Sequence, residues 1–198
     1  FTQEVDLGID LEFWRKRIVL GANVYKKTTT NLITPITVPT SSGYSGLNTN
    51  LGEMENKGLE IEMTLVPLKL QDFSWTLFTT FTKNENIVTK LAPGLDRFNL
   101  QANTVAYVIP GEAFGVFYGS RFARDDEGNY LINPSGGAII EDLTPGIIGD
   151  PNADFKMSFI NTFKYKNFTL FAQFDYRKGG DVSSSTIQSL LGRGVTKD

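Results

Sequence analysis

The chain alternates. Leu59, Ile61, Met63 and Leu65 point one way while Glu60, Glu62 and Thr64 point the other, a period of two that marks an extended strand with two unlike faces. The same rhythm recurs on both sides of this stretch. Residues 2–13 set Val5, Leu7, Ile9, Leu11 and Phe13 against Asp6, Gly8, Asp10 and Glu12, and Ile18–Lys27 alternates less cleanly. Phe73–Ile87 sets Phe73, Trp75, Leu77 and Phe81 against Ser74, Thr76, Thr80 and Thr82, with Phe78 an intruder on the polar side. In the last third, Phe155, Met157, Phe159, Phe163 and Tyr165 oppose Lys156, Ser158, Thr162 and Lys164. After a tight Lys166-Asn167 turn, Phe168, Leu170, Ala172, Phe174 and Tyr176 oppose Thr169, Phe171, Gln173, Asp175 and Arg177. Six strands are predicted and no helix worth naming; Gln188–Leu191 is too short for one. The fold class is all-β and antiparallel.

Alternation alone leaves two environments open. In a soluble sheet the apolar row meets a core; in a membrane barrel it meets lipid and the polar row meets a wet lumen. The connections favour the second. Their order is short, long, short, long, short: 14–17, 28–50, 67–72, 89–152 and 166–167. Outer-membrane barrels alternate short periplasmic turns with long external loops in this way, and strands of about ten residues suit a tilted crossing. Aromatic residues bracket the short turns at Phe13 and Trp14, Phe73 and Trp75, and Tyr165 and Phe168, where an interfacial girdle would stand. The short turns at 67–72 and 166–167 belong on one side, so any further crossings within 89–152 come in pairs. Ala113–Phe122 and Asn129–Ile132 are expected to pair across Arg124–Gly128, crossing together or standing outside the wall.

Composition narrows the chemistry. The chain has 198 residues, a net charge of −3 and no basic cluster, which argues against a surface that tracks nucleic-acid phosphates. It contains neither Cys nor His, so thiolate metal sites, Cys nucleophiles and the commonest general base are excluded. No apolar run approaches the length of a membrane helix. A mean hydropathy of −0.15 fits a barrel with a polar lumen as well as a soluble domain. There is no initiator Met and no signal-peptide pattern, and the polar end at Gly192–Asp198 offers no closing strand; an internal piece of a longer chain is expected.

The residues carry a resemblance. Asn56-Lys57-Gly58-Leu59-Glu60 resembles the N-K-G-x-E strand start of SusC/RagA-like TonB-dependent outer-membrane transporters. Gly8-Ile9-Asp10 and Tyr25-Lys26-Lys27-Thr28-Thr29 fall in the family's order before it. Gly111–Gly119 looks like its G-x-P-x-G-x-F-Y-G segment, with Ala113 where Pro is usual, and Asp126-Glu127-Gly128-Asn129-Tyr130 looks like its hairpin turn. Gly149–Phe155 resembles G-(N/D)-P-x-P-D-(F/W), with Ala153 replacing Pro, and Arg177-Lys178-Gly179-Gly180-Asp181 closes the series. The shared order covers nearly the whole chain. It implies that residues 1–198 form a late portion of a transmembrane β-barrel in the cell outer membrane. That barrel would be large, 22-stranded and plugged, with external loops at 28–50 and 89–152. It further implies energised import of an oligosaccharide or oligopeptide, a SusD-like surface lipoprotein as lid, TonB–ExbB–ExbD as motor, and no cofactor.

Candidate site residues follow from this frame. Glu60, Glu62, Thr64, Gln173 and Asp175 are expected to face the lumen. Glu60 and Glu62 have Cα atoms roughly 6.5–7 Å apart, within the ~6.5–9.5 Å range of inverting glycosidases. Asp6, Asp10 and Glu12 show the same habit, however, and wall lining is the reading adopted, with no catalytic residue assigned. Asp125-Asp126-Glu127 lacks the spacing of a calcium loop, so no metal site is expected. Tyr44, Phe114, Phe117, Tyr118 and Tyr130 are candidates for facing substrate or lid. A passive porin or small barrel, and a soluble carbohydrate-binding β-sandwich, remain as alternatives.

Overall fold

Long cross-strand ladders, shifted at Thr29–Ile33 of β2 and at Glu53–Met54 and Leu65–Leu68 of β3, are the main feature of the computed structural model, which describes residues 1–36, 41, 43–44, 47–100 and 104–194. Six strands form one antiparallel sheet in the order β1 (Thr2–Phe13), β2 (Ile18–Ile36), β3 (Leu47–Lys69), β4 (Phe73–Leu91), β9 (Phe155–Tyr165), β10 (Phe168–Lys178). Between β4 and β9 the chain builds a second, four-stranded sheet from β5 (Phe98–Asn99), β6 (Ala106–Val108), β7 (Val116–Gly119) and β8 (Gly146–Gly149). A helix, α1 (Ser185–Gly192), follows β10.

The register places the alternating rows side by side. One apolar row crosses the sheet through Leu11, Leu20, Met63, Thr79, Phe159 and Phe174, and the next polar row through Asp10, Gly21, Glu62, Thr80, Ser158 and Asp175. The apolar face is exposed: Leu7 is 72 % accessible and Phe174 65 %. The polar face lines a shallow concavity of about 500 Å³ beside Asp10, Asn23, Glu60 and Thr80. The buried apolar residues, Val88, Leu91, Val108 and Val116, all lie at the outer end of β4 or in the second sheet. The second sheet therefore does not cover the first, which the sandwich alternative requires.

The three tight turns stand at one end of the large sheet. Phe13 opposes Ile18, Lys69 opposes Ser74, and Tyr165 opposes Phe168. Turn residues hydrogen-bond to the neighbouring strand or turn, Val66 N to Arg17 O at 2.8 Å and Lys166 N to Asp72 O at 2.9 Å. Aromatic rings mark this end: Trp75 stacks on Phe163 at 5.7 Å and its indole N–H donates to Asn161 Oδ1 at 3.1 Å. A second aromatic group, Phe81, Phe155 and Tyr176, stands farther along the same face. Beyond it come charges, Lys83 with Glu85 at 2.7 Å and Glu55 between Lys26 and Lys57 at 2.6 and 2.8 Å. From Phe73 to Lys83 the apolar face spans ten residue steps, about 33 Å of strand. A tilt of about 40° reduces that to about 25 Å, the height of an outer-membrane apolar band.

The strands extend past their predicted ends. The loop expected over 28–50 is largely strand: β2 continues to Ile36 and β3 begins at Leu47, leaving 37–46 as the connection, of which 37–40, 42 and 45–46 lie outside the described residues. Above the charge row both faces carry polar side chains, so the twofold period vanishes while the ladder continues. The loop expected over 89–152 likewise begins only after Leu91 and contains β5–β8. No crossing is added within it, because β4 pairs directly with β9 from Phe73–Tyr165 to Thr82–Lys156. The hairpin expected between 113–122 and 129–132 is shorter. Val116–Gly119 pairs instead with β6 and β8, and only Arg124 opposes Tyr130. The helix α1 was hidden because the pattern in its eight residues is too short to give a helical period.

The expected strand start at Asn56-Lys57-Gly58 lies in the middle of β3, and packing explains its glycine. Tyr25 on β2 lies opposite Gly58, and its hydroxyl donates to Asn84 Oδ1 on β4 at 3.0 Å, so the ring crosses β3 over the glycine. A Cβ at 58 would stand 2.1 Å from Tyr25 Cζ. Gly58→Ala is expected to displace the ring at a cost of about 1–3 kcal/mol. Gly8→Ala is the control, since its nearest atoms lie at 3.5 and 3.7 Å. Urea unfolding of the assembled barrel, followed by heat-modifiable gel mobility, should give a lower midpoint for the first variant than for the second. Equal midpoints would mean that the ring does not depend on the glycine.

Candidate functional site

Two regions bring polar chemistry together: the concave face of the large sheet and the subdomain at its outer rim. On the concave face, Glu60, Glu62, Thr64, Gln173 and Asp175 share one side of the sheet with Glu4, Asp6, Asp10 and Glu12. Glu60 stands between Asn23 and Thr82, and Glu62 between Gly21 and Thr80. The absent side chain of Gly21 leaves a notch filled from both sides: Asp10 Oδ1 and Glu62 Oε1 each lie 3.2 Å from where a Cβ would stand. Asn23 Nδ2 donates to Asp6 Oδ2 at 3.0 Å, and Lys27 pairs with Glu4 at 3.7 Å. Asp175 accepts from the Ser158 hydroxyl and from Gln173 Nε2 at 3.0 and 3.1 Å. Charge is graded across the face. Acids dominate β1–β3, whereas Lys156, Lys164 and Arg177 stand on β9 and β10. Cross-strand neighbours of the glutamates are Asn, Gly and Thr, which serve no acid–base relay.

The rim subdomain sits where β4 overhangs its neighbour. Pairing with β9 stops at Thr82, but β4 continues to Leu91, so its edge would lie open. Residues 111–114 close it. Val88 N donates to Glu112 O at 2.9 Å, and Gly111 N to Val88 O at 2.8 Å. Two carboxamides complete the closure: Asn86 Oδ1 accepts from Phe114 N, Asn152 Nδ2 donates to Phe114 O at 3.2 Å, and Asn86 Nδ2 donates to Asn152 Oδ1 at 3.0 Å. Asp150 Oδ1 accepts from Asn152 N at 2.9 Å and from its side chain at 2.7 Å. The same segment is tied to the end of β10. Asp150 N donates to Asp181 Oδ2 at 2.7 Å, Asp181 N to Asp150 O at 2.7 Å, and Arg177 to Pro151 O at 2.7 Å. Beneath these bonds Val88, Leu91 and Val108 form a small core with Leu95, Phe98 and Phe114 around it. Ala113 and Ala153, the two departures from the motif pattern, both line the adjoining crevice of about 340 Å³.

The aromatic candidates thus separate. Phe114 packs against the rim core and Phe117 stands beside Gly149. Tyr118 packs against Tyr107, with Arg97 over its ring at 4.9 Å. Tyr44 is exposed in the 37–46 connection. Tyr130 is exposed beside Phe122, with Arg124 over its ring at 4.0 Å. It belongs to a projecting ribbon in which three short segments pair mutually: Leu131 N to Ala123 O at 3.0 Å, and Ala123 N to Ile140 O and Ile140 N to Leu131 O at 2.8 Å. Asp125 braces the ribbon's turn by accepting from Asn129 N at 2.7 Å and Asn129 Nδ2 at 3.1 Å, which holds its carboxyl below the usual range. The Thr144 N–H, then Arg121, lowers Asp142 in the same way. Among the described residues no three acids gather as a metal site. Sequence reasoning missed Asn86, Asn152, Arg121 and Arg124. For the arginines there was a signal, since residues 92–154 contain three arginines and no lysine.

The family described as TonB dependent receptor-like, beta-barrel matches residues 2–175. TonB-dependent receptor P3 of Formosa agariphila is 32 % identical over a 216-residue alignment that covers 96 % of this chain and 21 % of that protein. TonB-dependent receptor SusC of Bacteroides thetaiotaomicron is 28 % identical over 187 residues, covering 84 % of this chain and 18 % of SusC. Among solved structures, the RagAB peptide transporter superposes with a TM-score of 0.73 at 20 % identity, over 90 % of this chain and 21 % of that one. The chain spans about a fifth of the length of the curated relatives it matches. At this identity the structural likeness shows the fold: strands of a large antiparallel β-barrel.

Asn152→Ala would deprive both Asn86 and the Phe114 carbonyl of a partner, a local cost of about 1–3 kcal/mol where such groups are shielded from water. Limited proteolysis of the assembled protein should then cut within 92–154 sooner than in the parent while the wall strands survive. Equal cleavage rates would mean that the amide pair does not secure the rim.

Proposed function

The chain belongs to the TonB-dependent receptor-like β-barrel family, and we propose that it supplies part of the wall and outer rim of a SusC-like outer-membrane importer. The family is one of transporters and receptors rather than enzymes. In this reading the protein resides in the outer membrane, takes up an oligosaccharide or oligopeptide, works with a SusD-like lipoprotein lid, and is energised by TonB–ExbB–ExbD. The solved RagAB structure is that of a peptide transporter, which keeps peptide among the cargo classes.

One observation carries the reading. The large sheet has an exposed apolar face between two groups of aromatic rings, an opposite polar face lining a concavity, and its tight turns at a single end. A barrel wall in lipid needs all three properties, and a water-facing sheet has no use for the first. The polar face, with Glu60, Glu62, Thr64, Gln173 and Asp175, then lines the lumen. The rim subdomain stands outside.

Leu77 lies near mid-height of the apolar band, whereas Leu170 lies two positions nearer the turn end, in register with Phe163 and Trp75. Leu77→Arg should destabilise the assembled barrel by ~2–4 kcal/mol, Leu170→Arg by less, and the inward-facing Thr80→Arg least. Folding titrations into lipid vesicles measure this order. If Leu77→Arg and Thr80→Arg cost the same, the odd-numbered face of β4 does not meet lipid. Uptake by cells should also cease when TonB is deleted, and uptake that continues would make the protein a passive channel.

A further inference from the structure

The rim subdomain carries an open cleft of about 620 Å³, bounded by the ribbon and by β8, within the size range of small-ligand sites. Phe122 and Tyr130 bound it from the ribbon and remain about half exposed, while Ile147 and Ile148 bound it from β8. Its charged groups are Arg121, Arg124 and Asp142. This is unusual for its surroundings. Residues 92–154 hold nine acids against three arginines and no lysine, yet two of those arginines open onto one cleft. Arg121 lies over Gly146 and makes one ion pair, Nε to Asp142 Oδ2 at 2.8 Å. Arg124 lies over Tyr130, donates to Gly128 O at 2.6 Å, and has no carboxylate within ion-pair distance among the described residues. Both guanidinium groups retain N–H donors, and a planar fork suits a carboxylate better than a lysine would.

We propose that this cleft receives a carboxylate of a peptide cargo on Arg121 and Arg124, with a neighbouring apolar side chain of that peptide resting on Phe122, Ile147 and Ile148. The proposal rests on the reading of the protein as an importer. A peptide fits better than a glycan because, apart from the Ser120 and Tyr130 hydroxyls, the cleft offers donors and apolar surface. Its one carboxylate is already engaged by Arg121, and a polyhydroxylated sugar requires acceptors as well as donors. Branched aliphatic side chains such as Ile147 and Ile148 match a leucine or phenylalanine rather than the hydroxyl-rich edge of a sugar ring.

The test uses the full-length transporter in detergent and three probes: N-acetyl-Glu-Leu-Glu-Leu, its amidated Gln-Leu-Gln-Leu counterpart, and an oligogalacturonate as a carboxylated glycan. The acidic peptide should bind at least ~10-fold more tightly than the neutral one in low salt, with the preference shrinking as salt rises. Arg124→Gln should reduce the preference to under ~3-fold, and Arg124→Lys, which keeps the charge without the fork, should fall between. Equal affinity for the two peptides in the parent protein, a comparison that requires no variant, would overturn the proposal. So would an unchanged preference in both Arg121→Gln and Arg124→Gln. Arginine-dependent binding of the oligogalacturonate above that of the peptide would assign the cleft to acidic glycans and overturn it equally. If the acidic peptide binds with the expected arginine dependence but energised cells do not import it, the cleft stands and the import reading fails.

Discussion

The large sheet depends on its main-chain ladder. Among the described residues its six strands bury no apolar side chain of their own until β4 passes its last pairing with β9, so no packed interior holds them in register. What holds them is the series of backbone hydrogen bonds from β1 across to β10. In hydrocarbon an unpaired N–H or C=O has no water to fall back on, so opening any one pair costs far more than it would in a soluble sheet. Side chains then divide by parity. They need only match the medium on their own side, which is why a thin alternation of Leu, Ile and Phe with Asp, Glu and Thr suffices.

The same constraint accounts for the rim. Strands of unequal length leave edges, and β4 outruns β9 by nine residues, from Lys83 to Leu91. The inserted subdomain closes that edge with main-chain bonds to Val88 and with the Asn86–Asn152 pair around the Phe114 peptide. Only here does the described chain build a true core, because only here must it stay folded in water. Wall and rim thus rest on different physics. The wall needs a ladder and a matching solvent on each face; the rim needs buried Val88, Leu91 and Val108 together with a dense polar knot.

What the sequence made legible follows from that division. Wherever a strand separates lipid from water, the twofold period is strong, and the six strands, their tight turns and the common face of Glu60, Glu62 and Thr64 could be read directly. Above the band polar residues fall at both parities of β2 and β3. Lys27–Ile36 and Leu47–Asn56 therefore lose their period without losing their pairing, and composition alone made them resemble a loop. The rim was opaque for another reason. Its strands run two to four residues, too short for any period, and its decisive contacts join residues more than twenty positions apart, as in Asn86 to Phe114 and Asp150 to Asp181. Gly111–Gly119, Gly149–Phe155 and Arg177–Asp181 were visible as separate segments, but nothing in one dimension revealed that they meet at a single junction.

That junction gives the arginines their significance. A mobile loop would lose its ordering entropy each time it closed on a ligand. Here Arg121 and Arg124 hang on a ribbon whose base is fixed twice, to β4 through Asn86 and to β10 through Asp181 and Arg177. The fixed base removes part of that cost before any ligand arrives. It also sets the cleft at a constant position relative to the graded inner face, where acids on β1–β3 give way to Lys156 and Arg177 on β9 and β10. β9 and β10 are the wall strands nearest the rim's two attachments. Lys156 and Arg177 thus share the two strands nearest the rim with Asp175, while carboxylates predominate on β1–β3. The rigid junction is what holds the two arginines of an otherwise acidic rim at a fixed place relative to those wall cations.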